Sequence, residues 1–207
     1  MADETTRALI WVPIIHSPVD QGSMREPIRQ LYIRRAGQQK WEEHVQAVEN
    51  RWRQIRKDIA SLNLDYRGVR LYQDGLPTCG READIVRELV GAGSENHRLL
   101  WELMEQGAQL MGTESAELLL EEYELARQVL GTLESGDSKT AAGNQEQLSK
   151  RTLQRRDRYI AQRIDRTLQP GETGLLFLGM LHSLEHHVPS DVRIRKLATH
   201  QDLSGNA

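Results

Sequence analysis

Two apolar runs, one near each end of the chain, both stop on a histidine: Ala8-Leu-Ile-Trp-Val-Pro-Ile-Ile-His16 and Gly174-Leu-Leu-Phe-Leu-Gly-Met-Leu-His182. Neither alternates polar with apolar residues. Short runs of this kind read as strands buried on both faces, which is the position of strands in a parallel sheet covered by helices. In open α/β sheets, ligands and chemistry collect beyond the carboxyl ends of the strands. Two imidazoles at two such ends are therefore predicted to face one crevice.

The remaining pattern fits that frame. Pro27 sits near the start of a short predicted helix, Ile28 to Arg35, and a longer one is predicted from Gln38 to Leu62. The longer helix carries Trp41, Val45, Val48, Trp52, Ile55 and Ile59 at three- and four-residue steps. Val69 to Asp74 reads as a second strand closed by Gly75 and Pro77. Helices are predicted from Arg81 to Val90 and from Glu95 to Glu105, the latter with Ser94 as N-cap. Ala108 to Gly112 is a short third strand candidate, and Thr113 is read as the N-cap of a helix from Glu114 to about Leu133. Residues 134–144 lack large apolar side chains and read as a mobile loop. A basic helix from Gln145 to Leu168 ends at Pro170-Gly171, Val192 to Leu197 is a last strand, and the tail from about 199 to 207 is read as frayed. Strands alternating with helices predict one helix-rich α/β domain over residues 1–207, with a mainly parallel sheet flanked by helices.

At 207 residues, with 38% hydrophobic and 28% charged residues, the chain suits one domain. A net charge of -3 gives no general reason to expect nucleic acid or an anionic membrane as partner. No run approaches the roughly 20 apolar residues of a membrane span, and no secretory pattern is visible, so a cytoplasmic location is expected. Cys79 is the single cysteine, which excludes an intrachain disulfide and a thiolate cage. The partners expected are a small-molecule or peptide substrate, and a homo-oligomer is compatible with the sequence.

Imidazole serves as base, acid or metal ligand near neutral pH, which makes His16 and His182 the leading candidates. Asp74, at the end of the second strand, and Glu114, after the third, are carboxylates placed to orient them or to complete a divalent metal site (Mn, Co, Zn or Fe). Asp20 and Ser23 lie in the loop after His16, and Cys79 lies in a loop before a helix start, where a thiol is more acidic. These three are ligand-binding candidates. His182 and His186 have the spacing of a two-histidine helical metal site, although Pro189 leaves little room for a helix there. The pair Glu121-Glu122 can put one carboxylate at most toward the core. No Gly-x-Ser-x-Gly elbow, Walker A loop or Gly-x-Gly-x-x-Gly fingerprint is present.

The segments Ile14-Ile-His16 with Gly22-Ser23, and Arg156-Asp157-Arg-Tyr-Ile-Ala161 leading to Gly179-Met-Leu-His182, resemble the first and last motifs of the TraB/TIKI–ChaN–erythromycin esterase superfamily. That resemblance implies an α/β fold, His16 and His182 in one cleft, and hydrolysis, sometimes metal-dependent. It also implies that Arg156 binds an anionic group or steadies an oxyanion. ChaN-like members imply a second reading, a non-catalytic module binding haem or another small ligand. Pro13 stands where the first motif has glycine, and the second strand ends Tyr72-Gln-Asp74 without an acidic pair. Leu71 to Pro77, and Gly107 to Glu114 with Glu121-Glu-Tyr123, also look like a little-characterised bacterial family.

Overall fold

The two apolar runs lie side by side as strands. In the computed structural model, which describes residues 6–135 and 139–197 and only the backbone between 133 and 144, β1 (Arg7–Ile14) pairs with β4 (Thr173–Gly179). The pairing is parallel, with Ala8 opposite Thr173 and Ile14 opposite Gly179, so both runs end at one edge. β2 (Val69–Gln73) flanks β4 on the other side, β3 (Gln109–Met111) lies beyond β2, and β5 (Val192–Lys196) lies outside β1. All five strands are parallel, in the order β3-β2-β4-β1-β5.

The central strands β1 and β4 are apolar almost throughout because alternate side chains enter two different cores. On one face, Ile10, Val12, Val69, Leu71, Leu175 and Phe177 meet Val48, Trp52, Ile55 and Ile59 of α2 (Gln38–Ser61). Val86 of α3 (Glu82–Gly91) and Leu99, Leu100 and Leu103 of α4 (Glu95–Glu105) complete that core. On the other face, Leu9, Tyr72, Leu176 and Leu178 meet Ile160 and Ile164 of α6 (Lys139–Thr167). α1 (Arg25–Ala36) precedes α2, and α5 (Ala116–Ser135) precedes α6. The chain leaves β2 over the first face toward β3, and leaves β4 over the second face toward β5. The carboxyl ends of β2 and β4 thus form a topological switch point, where such sheets open a crevice.

Two local expectations are corrected. Thr113 is not an N-cap: α5 starts at Ala116, Ser115 Oγ accepts from Leu118 N–H, and the buried Thr113 hydroxyl accepts from Gln73 N–H at 2.8 Å. The segment read as a loop over 134–144 ends α5 at Ser135 and begins α6 at Lys139, because a lack of large apolar residues is still compatible with helix. Residues 136–138 and the tail read as frayed lie outside the described residues. As Pro189 suggests, His182 and His186 do not share a helix; residues 180–181 and 185–187 form turns, and His186 is exposed. Among the described residues, no helix is long and apolar enough to cross a membrane.

Candidate active site

The switch point is filled by ionisable side chains, and the backbone brings them there. Asp74 follows β2 directly, and its N–H donates to Phe177 O of β4 at 2.8 Å. Gly179 N–H returns a bond to Asp74 Oδ2 at 3.1 Å. The segments after β2 and β3 zip together: Thr113 and Glu114 N–H both donate to Leu76 O at 3.0 Å, and Thr78 N–H donates to Glu114 O at 2.8 Å. Gly112 permits this approach, since a Cβ there would stand 2.7 Å from Thr78 Cα. Gly75, at φ +77, turns its N–H onto Glu114 Oε1 at 2.8 Å, a backbone conformation that favours glycine. Asp74 and Glu114 are thereby fixed next to each other before any side chain is considered.

α6 supplies the counter-charge. Thr152, Arg156, Ile160 and Ile164 recur every four residues on its buried stripe, with Asp157 beside them. The helix connects parallel strands and so runs back along the sheet, which places Arg156 and Asp157 at the carboxyl edge while Ile160 and Ile164 cover the sheet. Arg156 Nε and Nη2 grip Glu114 side-on at 2.6 and 2.7 Å, Nη2 also donates to Asp74 Oδ1 at 2.7 Å, and Nη1 donates to Glu122. Four of its five N–H groups are therefore committed.

The two histidines predicted to share a crevice meet on one carboxylate oxygen. Asp74 Oδ2 lies 3.3 Å from His16 Nε2 and 3.7 Å from His182 Nε2. His182 is buried, and its Nδ1 stands 2.6 Å from Asp157 Oδ1, while Asp157 Oδ2 accepts from Ser183 N–H at 3.1 Å. An ionised carboxylate can only accept, so Asp157 fixes a ring proton on Nδ1 and turns Nε2 toward Asp74. The side chain of His16 is 41% exposed, so one edge of this pair opens to solvent.

These contacts bias the protons. Burial works to expel charge from Asp74, but His16, His182 and Arg156 outweigh it and hold the carboxyl far below its usual range. Burial likewise opposes the His16 imidazolium, yet the hydrogen bond and charge of Asp74, helped by Asp20, raise His16 above its ordinary value. Arg156 is pushed up by Glu114, Asp74 and Glu122 against its own burial. Glu114 is pushed up by burial and by Asp74, against the pull of Arg156.

Of the residues singled out from the sequence, His16, His182, Asp74, Glu114 and Arg156 are brought together. The role expected of Arg156 changes, because three carboxylates already occupy the guanidinium meant for an anionic substrate group. Asp20 goes elsewhere: with Ser94 and His97 at the start of α4 it forms a buried knot, with His97 Nδ1 2.8 Å from Ser94 Oγ and 3.3 Å from Asp20 Oδ1. Ser23 is exposed, its hydroxyl 2.8 Å from that of Tyr123. Cys79 is exposed in the loop leading to α3, where Glu82 accepts its N–H. Asp157 and Glu122 complete the cluster without having been singled out for it. The i, i+4 step from Arg156 to Ile160, with Asp157 beside Arg156, was the signal that placed this charged pair next to the buried stripe.

The four expected metal ligands do not form one shell. Arg156 stands between Asp74 and Glu114 as their cation, and no group of three His, Cys, Asp or Glu among the described residues is arranged to hold a metal ion. The cavity beside His182 measures about 230 Å³. Compared with known proteins, the chain matches no family model, no curated protein and no solved structure.

Proposed function

We propose that this cluster is the acid–base site of a hydrolase that works without a metal ion. The observation that carries the reading is the meeting of two imidazoles on Asp74 Oδ2, with a different carboxylate fixing each ring. Two imidazoles oriented by different carboxylates supply the parts of an acid–base pair. Asp157 leaves His182 Nε2 free to accept a proton, and Asp74 keeps His16 supplied with one.

In the reaction that follows for an ester, His182 Nε2 takes a proton from water as the oxygen adds to the carbonyl carbon. Collapse of the tetrahedral adduct breaks the bond to the leaving alkoxide, which takes its proton from the His16 imidazolium. The acid product releases its own proton, and a proton passing from His182 to His16 through solvent restores both rings. Arg156 is a positioning residue in this scheme. It holds Asp74 and Glu114 in place, and it does not bind substrate. The motif likeness to the TraB/TIKI–ChaN–erythromycin esterase superfamily agrees with hydrolysis as the reaction class.

The test is turnover of p-nitrophenyl acetate and butyrate by wild type, His16→Ala and His182→Ala, each with and without EDTA. General acid–base roles are worth about 10²–10⁴-fold each, so both variants are expected to lose at least 100-fold in kcat while EDTA leaves wild type unchanged. Equal turnover by all three proteins would remove the reading. Loss of turnover in EDTA, restored by a divalent ion, would replace it with a metal site.

A further inference from the structure

Beside His182, on the α6 side of the sheet, lies a cavity of about 230 Å³. Trp11 of β1, Leu176 and Leu178 of β4, Ile194 of β5 and Leu184 form its apolar walls, and His182, Ser183 and Glu185 complete its boundary. The one polar atom of the Trp11 ring is already used, donating to Leu178 O at 3.0 Å. The ring thus presents hydrocarbon to the cavity, and Lys196 Nζ lies 5.8 Å from its centroid. At the same sheet edge, Met180 and Leu181, just before His182, are 63% and 85% exposed, and Ile15, just before His16, is 40% exposed. Large apolar side chains held in water next to a charged cluster suit an apolar ligand.

The charge of the cluster narrows the ligand further. Asp74, Glu114, Glu122 and Asp157 surround one guanidinium and two imidazoles. With the carboxylates ionised, the sum is negative whether or not the histidines are protonated. Such a site repels an anionic substrate and favours release of an anionic product.

We propose that the cavity is an acyl subsite, so that the substrate is a neutral ester with a compact apolar acyl group and not a phosphoester or other anion. This rests on the hydrolase reading above. At about 30 Å³ for each water-sized group, the cavity holds about seven heavy atoms, which corresponds to a hexanoyl chain. The acyl group fills the space between Trp11 and Ile194, its carbonyl lies at His182, and the alcohol portion leaves on the His16 side.

Two measurements on the full chain separate the subsite from the chemistry. The first is kcat/KM for p-nitrophenyl esters from acetate to decanoate, with p-nitrophenyl phosphate alongside. The second is the indole ¹⁵N–¹H shift of Trp11 on titration with hexanamide, which reports binding whether or not turnover occurs. Ile194→Trp fills the cavity from a half-buried position on the edge strand, and Ile194→Ala enlarges it.

For wild type, kcat/KM is expected to rise toward hexanoate by up to about fourfold per methylene, to fall beyond it, and to be negligible for the phosphate. Ile194→Trp is expected to lose the length preference and the hexanamide shift, and Ile194→Ala to move the optimum to a longer chain. A Trp11 shift that is absent, or indifferent to both Ile194 variants, overturns the subsite. So does faster turnover of the phosphate than of any ester. Hexanamide binding without hydrolysis of any ester supports the subsite and overturns the hydrolase reading.

Discussion

Arg156 grips Glu114 with two parallel hydrogen bonds, Nε to Oε2 at 2.6 Å and Nη2 to Oε1 at 2.7 Å, with 4% and 0% of the two side chains exposed. The same guanidinium holds Asp74 and Glu122. A buried pair of this kind is a weak source of net stability while intact, because both ions lose water to form it. Breaking it from one side is another matter. Arg156→Met leaves two buried carboxylates without their cation and is expected to cost about 3–5 kcal/mol, read as a lower urea midpoint at pH 7. A cost under about 1 kcal/mol would show that the fork does not organise this edge.

The backbone zipper predicts two opposite responses to one added methyl group. At Gly112 a Cβ would sit 2.7 Å from Thr78 Cα and 2.6 Å from Glu82 Oε1, so Gly112→Ala must push two chain segments apart and is expected to destabilise by about 1–3 kcal/mol. Gly131 lies within α5 with nothing within 4 Å of a Cβ. Gly131→Ala is expected to stabilise by about 0.5–1 kcal/mol through helix propensity alone. Thermal unfolding of the pair checks both signs.

Acid stability follows from two depressed carboxyl groups. Burial opposes ionisation of Asp20, but His97, Ser94 and Ser17 outweigh it and bring the group down to about 2. Asp74 lies lower still. A group depressed on folding contributes above its unfolded value, about 3.9 for aspartate, and loses that contribution as pH falls through the folded value. Unfolding free energy is therefore expected to decline from about pH 4 toward pH 2. Asp20→Asn should narrow its gap to wild type over that interval, so that denaturant midpoints at pH 6 differ more than those at pH 2.5. His16 works in the opposite sense. Raised on folding, it contributes fully below about pH 6.5 and loses that contribution as pH climbs through the folded value.

Asp157 offers a test in which the fold should survive. Asp157→Asn keeps the shape but presents an amide to His182 Nδ1, and the proton can then move to Nε2, where it blocks base action. The expected result is a fall in kcat of at least 100-fold, little change in KM, and an unfolding midpoint close to that of wild type. An unchanged kcat would remove His182 from the base role.

Much of this arrangement was legible in the chain. The apolar runs ending at His16 and His182 gave two buried strands of a parallel sheet, because burial on both faces removes alternation and leaves a sequence pattern few other elements share; that they are neighbours is seen only in the pairing. Asp74 was legible for the same reason, as the first polar residue past a strand. Glu114 was placed in the site but attributed to a helix start, since Thr113-Glu114 has the composition of a capped first turn; only the pairing with Leu76 and Thr78 puts it in the zipper instead. Arg156 was found with the wrong partner, because its three carboxylates come from residues 34 to 82 positions away and sequence spacing carries no such information. Asp20 looked like a neighbour of His16, but the turn at Pro18–Met24 aims it at α4, where Ser94 and His97 wait.

The central claim is that Asp74 ties His16 and His182 into one acid–base unit. The most direct test is an NMR titration of the His16 and His182 ring resonances in wild type and in Asp74→Asn, across pH 4 to 9. In wild type, His16 is predicted to titrate above the ordinary histidine value of about 6.5, and the His182 resonances to register that step through the shared oxygen. In Asp74→Asn, the His16 midpoint should fall and the His182 response should vanish. A His16 titration unchanged by the substitution, with His182 indifferent to it, would contradict the account.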